Sequence, residues 1–314
     1  MNLPLFETPR SPLAERLQAL AAEGIYLGTS SWKYEGWLDS VYTPERYATR
    51  GRFSRKKFET ECLAEYAETF PAVCGDFTFY QFPSAETWQR LFATAPPTLQ
   101  FAFKAPEDLT VSQWPTHARY GARGGSDNEY FLNAELLERG FLGPLAAYRE
   151  RVGVVILEFG AFPKKKYASG AHFGRDLDAF LTQLPRGWRF AVEVRNPEFF
   201  EPGYFDILRA HNAAHVFNAW TRTPPIEAQV LLDHAYTADF LVARALLRQV
   251  RAYADAVRKF EPYAAIQEPN PGARDALKTL IQRARSQKQM AFLFVNNRLE
   301  GHAPGTISAV VEDL

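Results

Sequence analysis

Short apolar runs recur along the chain, and most are followed by a segment whose apolar positions return every three or four residues. The runs Ile25 to Ser31, Val73 to Tyr80, Leu99 to Lys104, Val152 to Phe159, Arg189 to Arg195, His215 to Ala219, Phe240 to Arg244 and Met290 to Asn296 predict strands. They are near-continuously apolar, as parallel strands covered on both faces are. Between them, Phe58, Cys62, Tyr66 and Phe70 recur every four residues while Glu59, Glu61, Glu65 and Glu68 fall elsewhere, which predicts an amphipathic helix. A second helix is expected to start at Ser84 as N-cap, with Glu86 in its first turn, and to stop before Pro96 and Pro97. Phe173, Leu177, Phe180, Leu181 and Leu184 make a third apolar stripe, and Leu277, Leu280, Ile281 and Ala284 a fourth.

Eight strands over 314 residues is about one per 39, the spacing of an α/β chain folded as a single TIM (β/α)8 barrel. An open doubly wound sheet is the alternative, but no Gly-rich dinucleotide turn follows any strand. With no repeat and no Ser/Gly linker, the expected division is an N-terminal extension over 1–24 and one barrel domain over 25–314. Two stretches break the pattern. Glu107 to Arg151, with Gly121, Gly124, Gly125, Asp127 and Asn128, predicts a long insertion after strand three, with a helix near Leu132 to Arg139. Thr221 to Ala238 predicts a second irregular connection, and in a barrel such loops are where a lid is built.

Composition narrows the partners. Lys plus Arg and Asp plus Glu are 36 each, so no global basic field exists to hold a polyanion or an anionic membrane. No apolar run approaches a membrane span, and the first residues lack the basic start and apolar core of a signal peptide. Two cysteines, Cys62 and Cys74, are too few for a disulfide scaffold, which together predicts a cytoplasmic protein. Oligomeric state is left open. No P-loop, GxSxG elbow or HExxH is present, and His211 and His215 lack a companion carboxylate. Neither a metal site nor a cofactor is therefore expected.

Strand alternation puts Glu193 and Arg195 on one face and Val192 and Val194 on the other, so the charges are expected inside the barrel. Lys104, on the face opposite Phe101 and Phe103, points the same way. A buried carboxylate needs a cation, and these charges fall at the carboxyl ends of their strands, where barrel active sites are built. Glu158 and Arg244 occupy similar ends. The bland alternative is an ion cluster that only fills the barrel. In GTSSWKYEGW, Trp32, Tyr34 and Trp37, joined by Tyr80, either stack a ligand ring or plug the mouth. Gly28 with Ser30 and Ser31 is only a weak anion-binding turn. Asn296 and Asn297 are suited to orienting hydroxyls or amides, or to capping backbone. The Arg46 to Lys57 segment, with Arg50, Arg52, Arg55, Lys56 and Lys57, is either a nucleic-acid patch or a solvated surface.

Together GTSSW with a following GW, DFTFYQFPSAETW, FAFKAP, RFAVEVRNPEFF and FVNNRLEGHAP resemble the domain of unknown function 72 family, also called YecE-like. The motifs fall in order over roughly residues 25 to 312. The resemblance implies a TIM barrel and no established reaction. Matching positions are Gly28, Trp32, Trp37, Phe79, Tyr80, Lys104, Glu193, Arg195, Asn296 and Asn297; Cys74, Asp76 and Glu158 stand where the family usually has other residues.

The leading expectation is an enzyme acting on a small anionic, phosphorylated or sugar-like ligand. Glu193 is its acid or base, and Lys104, a Schiff-base candidate if its pKa is depressed, and Arg195 bind the anion. Arg244, Glu158, Trp32, Tyr34, Trp37, Tyr80, Asn296 and Asn297 complete the expected site. The alternatives are a nucleic-acid-binding protein using the basic 46–57 segment with the aromatic mouth, and a glycoside hydrolase using Glu158 and Glu193.

Overall fold

Each apolar run has one face for a barrel interior and one for a surrounding helical layer, and in the computed structural model, which describes residues 11–314, all eight form parallel strands. They are β1 (Ile25–Thr29), β2 (Ala72–Gly75), β3 (Gln100–Lys104), β4 (Val152–Phe159), β5 (Phe190–Val194), β6 (Ala214–Ala219), β7 (Phe240–Ala245) and β8 (Met290–Val295). Each pairs in parallel with its sequence neighbours, and β1 closes the barrel against β8. This is the TIM-barrel arrangement.

The longer helices are α1 (Pro12–Ala22), α2 (Arg55–Thr69), α3 (Ala85–Thr94), α4 (Gly170–Thr182), α5 (Pro202–Ala210), α6 (Tyr253–Phe260), α7 (Pro271–Gln287) and α8 (Ala303–Val311). Ser84 caps α3 as expected, its hydroxyl accepting from the Thr87 amide. Helix α1 lies in the segment expected as an extension and buries Leu17 and Leu20 against the barrel core; residues 1–10 of that segment lie outside the described residues. In the long insertion, three short helical pieces run from Ala134 to Leu145. The Thr221 to Ala238 connection holds only the short helices Ile226–Gln229 and Asp233–Ala235.

The barrel interior is packed by Ala72, Cys74, Ala102, Ala191 and Ala214 against Phe240, Phe292 and Phe294, with Val154, Ile156, Val216 and Val242 between. Small residues on one side make room for rings from the other. Gly153 shows the fit: a Cβ there would lie 2.2 Å from the Phe292 ring. Gly28 serves closure of the barrel and not an anion-binding turn, since a Cβ would lie 1.8 Å from the Ala72 carbonyl oxygen of β2.

The run expected as a strand from Val73 to Tyr80 is corrected. It is a strand only to Gly75, and Asp76–Tyr80 winds into a 3-10 turn. The Thr78 hydroxyl, fully buried, is hydrogen-bonded to the Gly75 carbonyl at 3.0 Å and the Lys104 carbonyl at 2.6 Å, fastening the turn across the top of β3.

Candidate functional site at the barrel mouth

The interior apolar positions of each strand are followed, two residues on, by a polar side chain. Cys74 leads to Asp76, Ala102 to Lys104, Ile156 to Glu158, Ala191 to Glu193, Val216 to Asn218, Val242 to Arg244, Phe294 to Asn296 and Gly28 to Ser30. Alternation therefore delivers a polar ring at the carboxyl ends of all the strands, the face where barrel sites form.

Six of these or their neighbours join in one ion network. Arg244 is wrapped by three carboxylates: its Nη1 donates to Glu158 Oε2 at 2.6 Å and to Glu193 Oε2, and its Nη2 to Asp76 Oδ1 at 3.1 Å. Lys104 Nζ lies 3.2 Å from Glu158 Oε2 and 3.3 Å from Asp76 Oδ1. Arg195 Nη2 donates to Glu158 Oε1 at 2.7 Å and makes a longer, 3.5 Å contact with Glu193 Oε1. Three carboxylates thus meet three cations. Lys104, Glu158, Glu193 and Arg244 are buried, while the side chains of Asp76 and Arg195 keep 30% and 19% of their exposure. The network meets solvent through those two.

Burial and charge pull against each other here. Burial alone would push the Glu158 carboxyl up, but Arg195, Lys104 and Arg244 hold it well below the usual carboxylate range. Burial alone would lower Lys104, but Glu158 and Asp76 outweigh it and raise its pKa. The depressed amine that a Schiff-base lysine needs is therefore absent, correcting that expectation. A carboxyl held ionised is also a poor acid, so Glu158 does not fit the acid's place in a glycosidase.

Arg195 lies on the Trp220 indole, its guanidinium carbon 3.9 Å from the ring centroid, and Lys104 stands over Phe79 at 4.5 Å. Trp220, Asn218 and the weight of Asp76 were missed from sequence. The signal was present, since adding two to each inward apolar position finds Asn218 and Asp76. In contrast, buried Trp37 donates to Asn297 Oδ1 at 3.2 Å and packs between Tyr34 and Tyr42. Asn297 also accepts from the Ala303 amide, and Asn296 caps the short helix Asn297–Glu300. Tyr34 packs on Tyr263, and its hydroxyl is pushed up to about 12 by burial. Trp32 is buried beside the mouth. Tyr80, 57% exposed, sits under Arg119 of the insertion and packs edge-on against Phe79, without a direct contact to the charge network.

The basic segment is largely answered by acids. Arg55 pairs with Glu35 at 3.2 Å and Glu59 at 2.9 Å, Lys57 reaches Glu61, and Arg46 pairs with Glu65 and Glu68. Arg50, Arg52 and Lys56 are exposed on or beside a small hairpin, Ala48–Thr49 with Arg52–Phe53. Among the described residues, no group of three or more His, Cys, Asp or Glu side chains is placed to hold a metal ion. Nor is any helix among them long and apolar enough to cross a membrane.

A family model, protein of unknown function DUF72, matches residues 26–314. Among curated proteins, the UPF0759 protein YecE of Escherichia coli K12 is 28% identical over 183 residues, or 57% of this chain and 51% of that protein. The chain spans about half the length of the curated relatives it matches. Two solved structures are similar. A DUF72 family protein from Thermotoga maritima MSB8 has a TM-score of 0.59 at 18% identity, covering 92% of this chain and 98% of that one. Another from Enterococcus faecalis V583 has a TM-score of 0.59 at 16% identity, covering 92% and 95%. At such identities the likeness concerns the fold alone.

Proposed function

Because the chain belongs to the DUF72 family of proteins of unknown function, membership brings no reaction with it, and we propose one from the geometry: an enzyme that binds a small anionic compound at the barrel mouth. Arg195 is the anion contact and Glu193 the proton acceptor. The observation that carries this reading is the polar ring. A barrel built only for stability would fill that layer with apolar side chains, which is often as stable or more so by about 1–4 kcal/mol than a buried ion cluster. The ring also contains buried polar atoms without partners: the Ser30 hydroxyl, both amide atoms of Asn218 and the Nε atoms of Arg195 and Arg244. Each such atom costs about 1–3 kcal/mol unless something bonds to it.

Roles follow from which donors remain. Arg244 and Lys104 are sealed among the carboxylates, whereas Arg195, bonded to Glu158 and stacked on Trp220, still keeps 19% of its side-chain exposure. An arriving phosphate or carboxylate takes Arg195 and displaces its long contact to Glu193 Oε1. That oxygen is then free to accept a proton from the ligand, while Arg244 stabilises the other oxygen. Lys104 reinforces the cationic wall. Asn218 and Ser30 offer hydrogen bonds to the ligand's neutral groups.

The test is a thermal-shift and calorimetric screen with inorganic phosphate, sugar phosphates, nucleotides and short-chain carboxylates. An anionic hit is expected, lost in Arg195→Met and retained in Glu193→Gln, whose turnover of that compound is abolished. Wild-type binding and turnover in Glu193→Gln and Lys104→Met together would overturn the assignment.

A further inference from the structure

A groove of about 720 Å³ opens on the outside of the barrel between α2 and α3, and its upper end reaches the mouth at Asp76. Thr60 of α2 and Thr87, Ala93 and Thr94 of α3 are short side chains among those that line it. Glu59, Thr60 and Leu63 of α2 look across at Thr87, Arg90, Leu91, Ala93 and Thr94 of α3. The floor is apolar: Trp32, Leu63, Phe77 and Leu91. The charges at its rim, Lys33, Glu59 and Arg90, are exposed and solvated. Asp76 differs from them in being half-buried and at the inner end.

Asp76 is also divided between two environments. Its Oδ1 serves Lys104, Arg244 and the Cys74 thiol at 3.3, 3.1 and 3.6 Å. Its Oδ2 has no hydrogen-bonding partner among the described residues, and the side chain is 30% exposed. The carboxylate therefore shows the charge network one oxygen and leaves the other for something else. An apolar trough ending in a carboxylate oxygen is complementary to a molecule with an apolar body and a hydrogen-bond-donating, preferably cationic, end.

We infer that the α2–α3 groove is the part of the ligand site that holds the substrate's apolar portion, an aryl or alkyl group lying on Trp32, Leu63, Phe77 and Leu91 with an amine or hydroxyl donating to Asp76 Oδ2. This rests on the reading of the mouth as a ligand site, and it extends the site sideways through the helical layer instead of upward through the loops. Asp76 is the hinge of the arrangement, touching both compartments. Burying the hydrophobic body against four side chains supplies affinity, and the carboxylate supplies orientation.

The test uses 4-phenylbutylamine, 4-phenylbutanol and 4-phenylbutyrate as probes of one shape and three end groups, titrated into the full chain by calorimetry. The amine is expected to bind in the groove at one site per chain and the alcohol more weakly, whereas any binding of the carboxylate is expected at Arg195 of the mouth and to be insensitive to Asp76→Asn. Asp76→Asn is expected to weaken the amine roughly tenfold, the loss of one charge-assisted bond, while sparing the alcohol. Leu91→Trp and Thr87→Phe, which fill the groove from α3, are expected to abolish binding of both, with circular dichroism and melting curves showing that each variant folds. Absence of amine binding, amine affinity unchanged by Asp76→Asn, or amine binding untouched by both filling variants would overturn the inference. Failure of the mouth reading registers separately, as no stabilisation by any anion in a chain that still binds the amine.

Discussion

Glu158 of β4 and Glu193 of β5 are register partners on adjacent strands, and a single nitrogen, Nη1 of Arg244, bonds to a carboxylate oxygen of each. Two buried carboxylates at one level repel unless a cation lies between them. Arg244→Met removes that cation and leaves Glu193, fully buried, with only its 3.5 Å contact to Arg195. A loss of about 3–5 kcal/mol at neutral pH is expected, read from urea unfolding. The loss shrinks as pH falls and one carboxyl takes up a proton. In the wild type the sign is opposite: Glu158, held below its ordinary range, contributes fully above that range and loses its contribution only as pH falls well beneath it.

Asn218 carries both amide atoms unpaired at zero exposure, on the strand between those of Arg244 and Glu193. Asn218→Leu keeps the branched outline and removes the unpaired groups, so stability is expected to rise by about 1–2 kcal/mol. The same variant is expected to weaken the anionic ligand found by screening. Stability gained with binding unchanged would show that the amide serves nothing there.

His215 is buried among Phe200, Phe205 and Phe217, with Nδ1 3.4 Å from the Tyr204 hydroxyl and Nε2 unpartnered. Burial lowers its pKa from 6.5 to about 3, Gln229 and the nearby His234 acting in opposite directions and more weakly. Folded, it stays neutral; unfolded, it binds a proton below about 6.5. Stability is therefore expected to fall as pH drops from 6.5 toward 3, by up to about 1.4 kcal/mol per pH unit from this one group. Urea midpoints of His215→Phe across that window are expected to show a shallower slope than the wild type.

Lys104 is buried and cationic, so it is expected to resist amine reagents that label exposed Lys165. Trinitrobenzenesulfonate at pH 8, followed by peptide mass spectrometry, measures both. Labelling of Lys104 at the rate of Lys165 would contradict the buried ion pairs.

Because Glu35, Glu59 and Glu61 answer Arg55 and Lys57, reversing Arg55, Lys56 and Lys57 to Glu is expected to change oligonucleotide anisotropy less than about twofold at any salt concentration. Strong, salt-sensitive binding lost in that variant would revive the nucleic-acid reading.

Strand positions, the inward direction of Lys104 and Glu193, and the place of Glu158 and Arg244 at strand ends were legible in the chain, because a period of two is a local property of extended backbone. The helices were legible for the same reason at their own period, as the Ser84 cap shows. Which charges meet was not. Asp76 and Arg244 are 168 residues apart, and their contact depends on barrel closure, which no local pattern encodes. Closure likewise drew Trp37 and Asn297 into a packing contact, left Tyr80 under Arg119, and set acids beside the basic segment. Periodicity decided what each strand offers to the interior; the distances across the interior, and so the pairing of acids with bases, came only from the closed ring.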